Sequence, residues 1–406
     1  MSEHYPIMPL GEVVLDMKDG GTPKRSVPEN FGGDINWCVV KDIKPEIFDS
    51  KEKLTQQGLD KSSAKLWPAN SIIISLGATI GKIGIARVPT ATKQGLSGIV
   101  VNEELITVEF LVYVLHHKVR EIQGLATGTT IKEVRPRKLM SELKIPVPPL
   151  EEQQRIVSIL DEAFHKISKS TETMGKNLRN TLNLLISTRE QCFTPKPHWL
   201  QSQLDELCKI KHGFAFKSQF FSQLGDFVLL TPGNFFETGG YRDRGEKQKF
   251  YTGEIPEGYI LEKGDLLVAM TEQAAGLLGS PIIVPESDRF LHNQRLGLIN
   301  WNGSQTMSNE FVYHFFNTHT VRQELHNTGT GIKVRHTSPT KIGNLKIAIP
   351  PTIEEQQEIA DKLNSIEQEV SNLGLLYENK TAIMSQLKQS ILQETFNGNL
   401  AKEIAA

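Results

Sequence analysis

Cysteine is scarce in this 406-residue chain. Cys38, Cys192 and Cys208 stand too far apart for a metal knuckle or a disulfide framework, and they read as reduced thiols of a cytoplasmic protein. Long apolar runs are missing too. Nothing approaches the roughly 18 residues of a membrane span, and the N-terminus has no cationic stretch leading into an apolar one, so neither a span nor a signal peptide is expected. Net charge is only −2, which excludes a protein held on nucleic acid by bulk charge alone. The signatures of catalysis are absent as well. "GATIGKIG", Gly77 to Gly84, has three residues between its first two glycines where a phosphate loop has four, and Ile83 where that loop needs Ser or Thr. His116-His117 has no H-E-x-x-H or Cys/His spacing around it, and no G-x-S-x-G occurs. Neither Pro-Pro pair follows Asn or Asp and precedes an aromatic, so an amino-methyltransferase site is not read. The chain is expected to be no enzyme by itself, with no metal or cofactor of its own.

What is present is a repeat. "IPVPPLEEQQRIVSILDEAF", Ile145 to Phe164, returns as "IAIPPTIEEQQEIADKLNSI", Ile347 to Ile366. "TVEFLVYVL" from Thr107 matches "SNEFVYHFF" from Ser308, and "TGTTIK" from Thr127 matches "TGTGIK" from Thr328, both at an offset of 201. Several matches in one order at nearly one spacing mean two copies of about 200 residues each, too much chain for one core. "NSIIISL", "KIGIARV" and "SGIVV" read as strands, and "GDLLVAM", "SPIIVP" and "LGLIN" repeat them. A short helix follows in each copy, capped by Thr107 or Ser308 with Glu109 or Glu310 in its first turn.

Each copy closes on a long helix. The two prolines stop the preceding strand, and Glu151-Glu152 or Glu354-Glu355 complements the helix dipole. Ile359, Leu363, Ile366, Val370, Leu373, Tyr377, Met384, Leu387 and Ile391 step by four and three, with Lys380 the polar gap, as a coiled-coil seam does. The first copy begins alike at Ile156, Leu160, Ala163 and Ile167. It meets Ser170, then resumes with Met174, Leu178, Leu182 and Leu185, slipped by one as at a stutter. Such a helix, about 40 residues and about 60 Å long, cannot bury its stripe alone. The expected fold is therefore α+β with a pseudo-two-fold internal repeat: two mixed α/β globular heads separated by two long antiparallel helices forming a coiled-coil spacer. The domains are read as 1–146, 147–195, 196–348 and 349–406, heads alternating with spacer helices.

A head ending in "TGTGIK", then "LKIPVPPLEEQQRIVSIL", a long helix, and the pattern again, resembles the specificity subunit of type I restriction-modification systems. "GGTPKR" at Gly20, "GFAFKS" at Gly213 and "SILQETFNGNL" from Ser390 also look like that family, and the likeness covers nearly the whole chain. The resemblance implies that each head is a target recognition domain for one half of a bipartite, asymmetric double-stranded DNA sequence. It implies that the helices set the gap and dock two methyltransferase subunits, and that two motor-nuclease subunits join them. S-adenosylmethionine, ATP and Mg2+ would then belong to those partners, in the cytoplasm. The other reading is a scaffold with two ligand-binding heads and no DNA role.

Base edges are read by Arg, Lys, Asn and Gln, and phosphates by Lys, Arg, Thr and backbone amides. Thr129, Lys132, Thr330 and Lys333 offer a phosphate grip, unless their glycines simply turn the chain after the helix. Gln94 and Gln294 precede matching strands and suit adenine, and Arg295 suits guanine; the alternative is a solvated strand end. "GGYRDRGEKQKF", Gly239 to Phe250, supplies Arg242, Arg244, Lys247 and Lys249. Lys24, Arg25 and Lys217 stand in the glycine motifs. Gln153, Gln154, Gln356 and Gln357 are expected to face the methyltransferase partner, or to be no more than polar first turns. Which bases are read, and how wide the gap is, the sequence does not disclose.

Overall fold

A computed structural model describes residues 5–128, 132–272, 276–302, 307–331 and 334–396. The chain divides into two compact units, residues 1–173 with 379–406, and residues 174–378. The division falls inside both long helices, Leu150–Cys192 and Ile353–Phe396.

In the first unit, β1 (Val14–Asp19), β2 (Ser71–Ser75), β3 (Ile83–Ala86) and β4 (Leu96–Val101) form an antiparallel sheet in the order β1-β4-β2-β3, with Glu46–Ile47 added parallel at the edge. All of β2 is buried because both faces of the sheet are covered. Ile72 and Ile74 pack under helix α1 (Val108–His117), with Phe110, Leu111 and Val114. Ile73 turns the other way, toward Trp67 and Cys38 in the layer of a second, four-stranded sheet. Gly98 of β4 lies under the Trp67 ring, and a Cβ there would meet it at 2.2 Å. As expected, Thr107 caps α1, its side chain accepting from Phe110 N–H.

The second unit repeats this plan. Here β5 (Cys208–His212), β6 (Leu266–Ala269), β7 (Pro281–Ile283) and β8 (Leu296–Trp301) run in the order β5-β8-β6-β7, again antiparallel. Helix α2 (Asn309–Phe316), capped by Ser308, takes the place of α1. A five-stranded mixed sheet makes the second layer. All six strands read from the sequence are present. The second sheets are not legible there, because most of their strands are two or three residues long.

The long helices pair in opposite directions within each unit. In the first unit Lys388 donates to Ser168 Oγ at 3.2 Å and covers the Phe164 ring, while Leu392 joins the core beside Leu160 and Ile156. Phe396 packs edge-on against Phe110, centroids 5.7 Å apart. In the second unit Arg189 bonds Glu367, and further along Lys196 and Trp199 both donate to Glu355 at 3.0 Å. Phe193 packs on Phe311 at 4.8 Å, matching the Phe396–Phe110 pair. The seam departs from expectation at two places. Leu387 is 42% exposed, and Lys388 takes the inner position instead. Leu182 is 40% exposed, while Thr171 bonds back to Ile167 O and half-buries itself. In both helices the inward positions keep the four-three rhythm through the neighbouring residue, Ile167-Thr171-Met174-Leu178-Thr181-Leu185 and Met384-Lys388-Ile391-Thr395, so the expected stutter is absent and polar residues fill places read as apolar. Among the described residues, no helix is long and apolar enough to cross a membrane.

Candidate nucleic-acid interface

At one end of the first unit's sheet the loops carrying "GGTPKR" and "KQG" meet the segment around Val134. Gly20 donates its N–H to Leu96 O at 2.8 Å, Leu76 donates to Gly95 O at 2.9 Å, and Val134 to Leu76 O at 2.9 Å. Asp19 Oδ1 accepts from Gly95 N–H. The second unit makes the same three bonds. Gly213 donates to Leu296 O at 3.3 Å, Met270 to Arg295 O at 2.9 Å and Thr337 to Met270 O at 2.9 Å. The glycines are required by close approach. A Cβ on Gly21 would sit 2.2 Å from Ala64 N, and one on Gly213 would sit 2.0 Å from Asn293 O.

These bonds join loops that carry several of the sequence candidates. Lys24, Arg25, Gln94 and Lys132 are exposed in the first unit, and Lys217, Gln294, Arg295 and Thr330 in the second. Thr129 and Lys333 lie outside the described residues. The frame also corrects the alignment. Thr127 bridges Glu133 and Thr330 bridges His336, and Gly128 and Gly331 both have positive φ. The structural counterpart of Thr127 is therefore Thr330, two residues beyond the Thr328 that sequence identity picks. Lys132 then corresponds to Arg335, which bonds His326 O and Gly329 O and closes the end of helix α3 (His319–Thr328).

Three basic side chains, Arg25, Lys211 and Lys249, are braced by their neighbours. Arg25 donates to both carboxylate oxygens of Glu52, at 2.6 and 3.2 Å, and lies over Phe31 and Trp37 with its guanidinium 5.0 and 5.2 Å from the ring centroids. That hydrogen bond holds the Glu52 carboxyl below the usual carboxylate range. Trp37 is itself fixed by donating to Gly21 O at 3.1 Å. In the second unit Phe214, Phe216, Phe220, Phe221 and Tyr251 form an aromatic cluster, with Lys249 5.6 Å over Phe221. Lys211, which sequence reasoning missed, sits 4.5 Å over Tyr259 and donates to Gly258 O. Its position within β5 made it look like an ordinary strand residue.

The Gly239–Phe250 loop is more folded than its composition suggested. Arg242 covers the Phe236 ring at 4.5 Å, Arg244 lies across Gly233, and buried Gln248 ties Asn234 to Arg244 N–H. Lys247 and Lys249 remain exposed, whereas Arg242 and Arg244 are half-buried supports of the loop. In the neighbouring turn His292 is fully buried and donates to Leu296 O at 2.9 Å. Burial pushes its imidazole down to about 4. Buried Cys38 and Cys208 are pushed up to about 12 by the same cause, as thiols without reactivity near neutral pH.

The tandem glutamines divide. Gln153 and Gln356 are 0% and 2% exposed, so neither offers its side chain to a partner. Their place in the first turn, one residue in from the solvent face, turns them onto their own heads. Gln154 is exposed, and Gln357 accepts from Ser308 Oγ and donates to Glu310 and Asp361.

Residues 3–176 and 197–380 each match the family model of the type I restriction modification DNA specificity domain. The chain is 24% identical over 424 aligned positions to the type I restriction enzyme MjaIX specificity subunit of Methanocaldococcus jannaschii, covering 98% of this chain and 93% of that one. A solved structure described as the basis of complex assembly and conformational transition of the type I R-M system superposes with a TM-score of 0.77 at 20% identity, covering 98% of both chains. The HsdS subunit from Thermoanaerobacter tengcongensis superposes with a TM-score of 0.60, also at 20% identity and 98% of both chains.

Proposed function

The chain belongs to the type I restriction-modification DNA specificity family, and from that premise we propose how its two units divide the work of target recognition. Each unit reads one half of a bipartite, asymmetric double-stranded sequence with the loops gathered at its sheet end. The observation that carries this reading is the shared set of three backbone hydrogen bonds, which holds unlike loops on like frames. Gln94, Gln294 and Arg295 supply donors and acceptors of the kind that read base edges. Lys24, Arg25, Lys132, Lys217, Lys247, Lys249 and Thr330 supply the phosphate grip that fixes register. The long helices set the number of unread base pairs and dock two methyltransferase subunits, with two motor-nuclease subunits beyond them. S-adenosylmethionine, ATP and Mg2+ belong to those subunits, and this chain contributes specificity without catalysis, in the cytoplasm. Near-neutral charge suits a subunit that shares its phosphate attraction with partners. The family assignment leaves the scaffold reading without support.

With its methyltransferase partner, the chain should shift one bipartite duplex in the presence of scrambled competitor. Gln294→Ala and Arg295→Ala should each cost about 1–3 kcal/mol on the target and relax preference within a single half-site. Lys217→Ala should weaken all duplexes alike and lower the salt slope by about one. Equal binding to every duplex would reject the reading.

A further inference from the structure

The buried glutamines Gln153 and Gln356 have the same surroundings in the two units. Gln153 Oε1 accepts from Thr107 N–H at 2.8 Å, and its Nε2 donates to Leu105 O at 2.9 Å and Pro148 O at 2.8 Å. One amide thus joins three pieces: the capping residue of α1, the Pro-Pro junction and the first turn of the long helix. Gln356 Oε1 accepts from Ser308 N–H at 3.0 Å, and its Nε2 donates to Pro350 O at 3.4 Å. Thr107 and Ser308 are the capping residues of equivalent helices, and Pro148 and Pro350 are the first prolines of the two junctions. Both glutamines are sealed from water. A buried amide in this position is costly unless both its ends are bonded, and when they are it admits one geometry.

We propose that Gln153 and Gln356 are positioning residues that set the angle at which each head sits on its own long helix. They thereby fix how strictly the complex measures the gap between the two half-sites. The inference rests on the reading that heads bind half-sites and helices set the gap. The proline pair stiffens the junction along the chain, and the buried amide links the junction's proline carbonyl to the N–H of the head helix's capping residue, alongside the outer contacts Tyr113–Asp161 in the first unit and Gln357–Glu310 in the second. With the amide removed, the head keeps its loops and its base contacts and gains freedom to tilt. Gap-length selectivity then falls while half-site sequence stays the same.

The test uses the full chain in complex with its methyltransferase partner, on duplexes that keep both half-sites and vary the gap by one base pair either way. Gln153→Met and Gln356→Met keep the volume and remove both hydrogen-bonding ends. Each should lower the ratio of methylation rates, native gap over off-by-one gap, on the order of tenfold, about the worth of one buried hydrogen bond. Half-site point changes should be rejected as strongly as by wild type. Gln356→Glu is the milder variant and can be rescued. Its carboxylic acid form keeps one donor and one acceptor, so selectivity should return toward wild type as pH falls. Lowered melting temperature with unchanged gap selectivity in all three variants would mean a merely structural role and overturn the proposal. Relaxed half-site preference would overturn it too, as it would place the glutamines with the readers. Should wild type itself methylate all gaps equally, the head-and-helix reading fails, and this inference with it.

Discussion

His292 shows how a single residue serves the site without touching a ligand. It is buried neutral, donating to Leu296 O inside the turn that presents Gln294 and Arg295. Its folded pKa, pushed down to about 4, lies below the ordinary histidine value of about 6.5. Burial is the main cause, and nearby Lys211 and His212 push the same way. Between those values the unfolded chain takes up a proton that the folded chain refuses. Stability is therefore intact above about pH 6.5 and is lost as pH falls toward 4. At pH 5 the loss from this one group is about 2 kcal/mol. Urea unfolding at pH 7 and pH 5 should show it, and His292→Gln, which keeps a donor and cannot titrate, should remove that share. An equal acid loss in the glutamine variant would show that His292 is not the source. Little of this was legible beforehand. A sequence gives the residue types Gln294 and Arg295 but not the burial of the histidine two positions earlier. The glutamine pairs mislead for the same reason. Adjacent side chains on a helix point about 100° apart, so Gln153 and Gln356 are sealed in while Gln154 is exposed and Gln357 half-buried, and the letters alone do not say which.

At the scale of elements the sequence was most informative where periodicity is long and least where pieces are short. The long helices and their seam followed from four-three spacing, and burial of Leu160, Leu185, Leu363 and Val370 agrees with it. Leu387 did not follow, because Lys388 takes the inward position, its ammonium 5.6 Å over the Phe164 ring. Leu160→Ala should cost about 2–5 kcal/mol through lost burial and the cavity left behind. Leu387→Ala should stay within about 0.5 kcal/mol. Chemical denaturation compares them directly, and similar costs at the two positions would contradict the observed seam. Phe396 lies well over one full repeat away from Phe110 in sequence, and nothing local in the sequence announces that contact. Only its match with the Phe193–Phe311 pair makes it intelligible.

For the whole molecule, duplication is the organising fact. Two copies of one plan keep their frame, seen in the matching strand orders β1-β4-β2-β3 and β5-β8-β6-β7. They differ in what the frame carries: Arg25 clasped by Glu52 over two rings in one, Lys249 over a phenylalanine-rich cluster in the other. Like frames with unlike loops are what an asymmetric two-part target requires. The central claim is that heads choose sequence and helices choose distance, and one measurement separates the two. Four residues, about one helical turn and about 6 Å, are inserted after Leu178, and methylated sites are sequenced genome-wide from cells carrying the inserted or the natural chain with its partners. The account predicts the same two half-sites with a longer gap between them. Altered half-sites at an unchanged gap would contradict it.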